Sequence, residues 1–66
     1  MPADVRDMLQ QRGLLAAYQA RPAYQQNDYL GWIGRAKRVQ TRAKRLEQML
    51  AELENGGVYM KMAWKG

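Results

Sequence analysis

The sequence predicts an all-α fold, a small bundle of three to four short helices over residues 2–55 with an extended C-terminal tail over 56–66. Three observations carry this expectation. Val39, Ala43, Leu46, Leu50 and Leu53 step by 4, 3, 4 and 3, which keeps one apolar stripe facing a partner element. Breakers at Gly13, Pro22 and Gly56-Gly57 divide the chain into lengths that suit short helices. After the last of them, Val58, Met60, Met62 and Trp64 alternate with Tyr59, Lys61, Ala63 and Lys65, and that period of two belongs to a strand.

Each element has a local reason. Asp4 followed three residues later by Asp7 resembles a capping box with the shorter acid, opening a helix with Val5, Met8 and Leu9 on its apolar face. Gly13 suits the left-handed residue that ends such a helix. A second short helix, Leu14 to Ala20, turns Leu15 and Tyr18 inward, and Arg21-Pro22 closes it because the residue before proline is driven out of the helical region. The third segment, Pro22 to about Lys37, aligns Tyr29, Trp32, Ile33 and Ala36 on one face. Gly31 and Gly34 inside it are either points of close backbone approach or tolerated surface positions. The fourth is the Val39–Leu53 stripe widened by Met49, and Asn55-Gly56-Gly57 ends it.

Composition excludes several functions. The chain has 66 residues, no Cys, no His, no Ser and a single Thr, Thr41, so the usual nucleophiles and the neutral-pH proton shuttle are missing. We expect no enzyme, no cofactor and no metal site. A domain this short buries only about 60% of the surface its unfolded chain exposes, so its core must be small. No apolar run reaches the ~20 residues of a membrane-spanning helix. Residues 1–11 carry Asp4 and Asp7 where a signal peptide would be basic and then apolar, so a cytoplasmic, non-inserted protein is expected.

The net charge is +5, and between Arg35 and Arg45 lie six of the eleven basic residues and no acid. Were the helix continuous through this stretch, Arg35, Arg38, Arg42 and Arg45 would form one stripe beside the apolar seam. Were it broken near Arg38, the fourth helix would begin with cations and end with Glu47, Glu52 and Glu54, against the preference of the helix dipole. Charges set against their local preference hint at a partner. A solvated basic face, an acidic protein surface and nucleic acid are the readings open here, although no aromatic is interleaved among the bases for stacking. The tail is equally open: packed back on the bundle, paired with a partner or a second copy, or disordered.

The stretch NDYLGWIGRAKRVQTRAKRLEQMLAEL resembles the C-terminal helical segment of the YdeI/OmpD-associated family of bacterial proteins, also labelled bacteriocin-protection proteins. Tyr29, Trp32, Ile33, Ala36 and Lys37 match the first part of that family's pattern, Thr41, Arg42 and Arg45 the second, Met49 and Leu50 the third. The weaker lead-in includes MPADVRDML and AAYQARP, so the resemblance covers residues 2–54. It implies a stand-alone version of a segment that often follows a larger domain, and a family proline at the position of Val39 would favour the break at Arg38. It supplies no catalytic or ligand-binding residue.

The expected function is therefore protein binding by a small bacterial helical domain, monomeric or weakly dimeric. Arg35, Arg38, Arg42 and Arg45 are the expected polar contact, and Tyr59, Met60, Met62 and Trp64 the apolar one. Nucleic-acid or anion binding through the same basic stretch, and homodimerisation, are the alternatives.

Overall fold

The structure is a computed structural model that describes residues 1–63. Four helices follow one another, α1 (Ala3–Gln11), α2 (Leu15–Ala20), α3 (Ala23–Gly34) and α4 (Val39–Asn55), and two short strands close the described chain, β1 (Val58–Tyr59) and β2 (Met62–Ala63). The all-α expectation holds, with all four helices present. Trp64 and Lys65 lie outside the described residues.

α1 starts one residue ahead of the expected cap. Pro2 occupies the N-cap position and no side chain caps it, so the Asp4/Asp7 box does not form. Asp4 sits inside the first turn, where its charge complements the dipole, and its side chain is used elsewhere. The helix ends as anticipated at Gly13, with φ of 68°. The N–H of Leu14 reaches the carbonyl of Leu9 at 2.8 Å and that of Gly13 reaches Gln10 at 3.1 Å, the paired bonds of a Schellman ending. This turn drops Leu14 into the core beside Leu9, while Leu15 is only partly buried.

The core gathers Val5 and Leu9 of α1, Leu14, Tyr18 of α2, Tyr29 and Ile33 of α3, and Leu46, Met49, Leu50 and Leu53 of α4. The expected α4 seam is thus real from Leu46 onward. Its first member, Val39, is 83% exposed, because α4 begins beyond the edge of the bundle. The glycines of α3 meet no other backbone: a side chain at Gly31 would meet the Arg35 guanidinium, and Gly34 faces open space.

α3 and α4 are separate helices. α3 ends at Gly34 and α4 starts at Val39, with Arg38 extended at its N-cap, so the continuous arginine stripe is not formed. α4 stops at Gly56, whose φ of 78° is natural only for glycine.

The alternating stretch does not run on as one strand: within the described residues it supplies its own neighbour by folding on itself. Val58 pairs with Ala63 and Tyr59 with Met62 in an antiparallel hairpin. The turn residues Met60 and Lys61 have φ of 50° and 63°, the signs that a two-residue hairpin of the I′ type requires. Neither is Gly, Asn or Asp, so the alternation alone gave no sign of the turn.

Candidate functional site

The arginines of the motif hold the α3–α4 joint. A helix leaves its last carbonyls without partners, and two of those of α3, Trp32 and Ile33, receive a guanidinium from α4, the second also accepting the Ala36 N–H at 3.2 Å. Arg45 donates through Nη1 to the Trp32 carbonyl at 2.6 Å, and its guanidinium lies 5.3 Å from the centroid of the Trp32 ring. Arg42 reaches the Ile33 carbonyl at 3.4 Å and grips the Asp4 carboxylate with Nε and Nη2, at 2.9 and 3.0 Å. One side chain in the first turn of α4 thereby ties the start of α1 to the end of α3. Two of the cations placed against the dipole of α4, Arg42 and Arg45, thus have partners at the negative end of α3, whereas Arg38 and Lys44 are exposed.

Of the motif residues, Tyr29 and Ile33 are buried, Trp32, Ala36, Thr41, Arg42 and Arg45 are half-buried around the joint, and Lys37 is exposed. Trp32, Ile33, Arg42 and Arg45 of this set build the helix junction, while Tyr29 belongs to the core. Arg35 and Arg38 are exposed, unlike the half-buried pair Arg42 and Arg45.

The Arg42 hydrogen bonds hold the Asp4 carboxyl below its usual 3.8. The unfolded chain then takes up this proton before the folded chain does. The contribution is complete at neutral pH, fades as the pH approaches 3.8 and is lost once the pH falls through the folded value. Asp4→Asn is expected to lower the urea midpoint at about pH 6 and to narrow its drop between about pH 6 and about pH 2.5. An unchanged pH profile would show that the pair contributes nothing to stability.

A second site, not anticipated from the sequence, centres on Glu52. This carboxylate points inward from α4 between Met49 and Leu53, and the residue is 5% exposed. Its Oε1 accepts from the Tyr29 hydroxyl at 2.5 Å and from the backbone N–H of Met60 at 2.7 Å. Its Oε2 accepts from the N–H of Lys61 at 2.9 Å and from Nε2 of Gln48 at 3.0 Å. The carbonyl of Glu52 accepts from buried Arg21 at 3.1 Å, Arg21 donates also to Gln25, and Gln25 donates to the Tyr24 hydroxyl. Burial, and then the bond to Glu52, raise the Tyr29 hydroxyl well above the usual tyrosine value.

Tyr59 anchors the hairpin beside this network. Its ring packs edge-to-face against Tyr24 and Tyr29, with centroids at 6.0 and 5.5 Å, and its hydroxyl donates to Asp28. Loss of water, and then Asp28, push that hydroxyl up to about 12. Of the expected apolar contacts, Tyr59 and Met60 turn toward the bundle, and Met62 is 60% exposed. An open groove of about 290 Å³ runs alongside, lined by Gln48, Ala51, Glu52, Asn55, Val58 and Lys61. Among the described residues no group of three or more acidic, His or Cys side chains is placed to hold a metal ion.

Sequence could have flagged Glu52 in one way only. It is the acid that falls directly between Met49, Leu50 and Leu53 in the apolar part of α4, whereas Glu47 and Glu54 are exposed. Arg21 carried no such signal, since a residue before proline reads as a helix end.

No curated protein and no solved structure matches this chain significantly. A family profile does, over residues 1–56, which takes in all four helices and stops at the glycine that ends α4. The chain belongs to the family described as bacteriocin-protection, YdeI or OmpD-associated.

Proposed function

We propose that this chain is a non-enzymatic module that binds an acidic protein surface through the exposed cations around the α3–α4 joint. The division of charge supports this reading. Five of the six carboxylates have partners inside the chain: Asp4 with Arg42, Asp28 with Tyr59, Glu47 and Glu54 with Arg12, and Glu52 with Tyr29 and the hairpin. Arg35, Lys37, Arg38 and Lys44 are all exposed, and no ion pair among the described residues involves them. The positive charge is therefore presented outward, where it steers and orients acidic partners. Exposed Val39 lies among these residues in sequence and supplies an apolar contact.

Chemistry at the buried site has little support. Both oxygens of Glu52 are occupied by protein donors, and the chain has no His, Cys or Ser to work beside it. A cytoplasmic location accords with this reading, and no helix among the described residues is long and apolar enough to cross a membrane. The family description speaks of bacteriocin protection and association with OmpD, and binding is the form in which this chain would share such a role.

Nucleic acid is the second reading, since phosphates seek the same cations. It is weakened at Trp32, where Arg45 lies over the ring that a base would need for stacking. Combined Arg38→Glu and Lys44→Glu should abolish capture of acidic proteins from a lysate while changing stability by less than about 0.5 kcal/mol. Undiminished capture would remove these cations from the interface. Retention on DNA that the reversal abolishes, with a steep salt dependence, would favour the second reading.

A further inference from the structure

The hairpin is held by a recognition geometry that does not depend on its being part of the same chain. We propose that Tyr24, Asp28, Tyr29, Gln48 and Glu52 form a peptide-binding socket whose ligand is a tyrosine followed at once by a tight left-handed turn. The hairpin of this chain is its resident occupant.

The ligand class follows from what is bound. The two oxygens of Glu52 each accept one backbone N–H, from two consecutive turn residues, at 2.7 and 2.9 Å. Such contacts read the shape of a turn and are indifferent to its side chains. The preceding residue is read by its side chain. Two tyrosine edges and faces enclose its ring, and Asp28 accepts its hydroxyl, so an aromatic ring with a hydroxyl is required. The whole recognition element is Tyr59, Met60 and Lys61, short enough to occur in any partner.

Two independent observations point beyond the resident hairpin. The family profile covers residues 1–56, so it contains every socket residue and none of the hairpin. The matched helical segment holds every socket residue, and the occupant follows it after the double glycine. That occupant is also a poor one. Met60 and Lys61 both hold positive φ, a conformation that disfavours residues with a Cβ. Met60 recovers something by packing against the core, but Lys61 is exposed. A turn with glycine at the second position keeps every contact that Glu52 reads and sheds the backbone penalty. The favoured partner sequence is therefore Tyr-x-Gly. This site is separate from the cationic joint, and its success or failure leaves the reading of that joint untouched.

The test uses the full chain carrying Tyr59→Ala, labelled with ¹⁵N, and two octapeptides: GGVYMKMA, which copies residues 56–63, and GGVYMGMA. Removing the ring and hydroxyl weakens the resident hairpin's hold on the socket, and both peptides should displace it and shift the amide signals of Tyr29, Gln48 and Glu52. The glycine peptide should bind at least about threefold tighter, and GGVFMKMA about threefold or more weaker than its tyrosine parent. Adding Glu52→Gln, which keeps the side chain's shape and one acceptor oxygen for the core, should reduce binding about tenfold or more. The unsubstituted chain should bind each peptide far more weakly, because its own hairpin competes at an effective concentration in the millimolar range. Should Tyr59→Ala fail to fold, the same competition is read on the unsubstituted chain with GGVYMGMA at several times that concentration. The proposal falls if no peptide shifts those signals, or if a scrambled peptide or the phenylalanine peptide matches the tyrosine one.

Discussion

Glu52→Ala is expected to lower the unfolding free energy by about 2–4 kcal/mol, the larger part from leaving the buried Tyr29 hydroxyl without its acceptor. Tyr29 is fully buried, so water cannot replace the lost oxygen without opening the core. The remainder comes from the hairpin, whose Met60 and Lys61 N–H groups lose the carboxylate that holds the turn to α4. A domain of this size has little stability to lose, on the order of 5 kcal/mol, so a large fraction of the variant should be unfolded on mild heating. Tyr29→Phe removes the donor and leaves Glu52 its other three, and should cost only about 1 kcal/mol. Urea titration of the three proteins checks the order. Equal midpoints for Glu52→Ala and Tyr29→Phe would mean that neither the orphaned hydroxyl nor the released turn adds to the loss.

Leu50→Ala should destabilise by about 2–5 kcal/mol, because Leu50 is fully buried and its loss leaves a cavity that rigid helices fill only partly. Val39→Ala, in the same stripe of the sequence, should change stability by less than about 0.5 kcal/mol, and alanine's helix propensity favours the variant. Thermal melts of the two variants give the comparison. Comparable losses would place Val39 under cover, contrary to its 83% exposure.

That contrast shows what the sequence could and could not convey. The spacing of Leu46, Leu50 and Leu53 located a buried face because helical periodicity and burial are the same fact seen twice. It could not say where the bundle ends, and Val39 keeps the rhythm of the stripe while standing outside it. Gly13 and Gly56 were legible because a positive φ selects glycine strongly. Met60 and Lys61 take the same region without glycine, and the hairpin was hidden for that reason. The break between α3 and α4 was left open because neither Arg38 nor Val39 forbids a continuous helix. The arginines were visible as charge, yet only the separated helices show that Arg42 and Arg45 address the carbonyls of α3. Glu52 and Arg21 were missed because charged residues read as surface, and only tertiary structure supplies the donors and acceptors that let them be buried.

The amides of Met60 and Lys61 are tied to a side chain on another element and not to the opposite strand. Protection of these two hydrogens against exchange with heavy water therefore gauges attachment of the hairpin to α4, not the integrity of the hairpin itself. Because one carboxylate holds both, a single opening event releases both, and their protection factors should coincide. Amides inside α4 such as that of Leu50 open only with the helix and should exchange far more slowly. The difference in opening free energy between the two groups is the margin by which the tail can leave the bundle while the bundle stays folded.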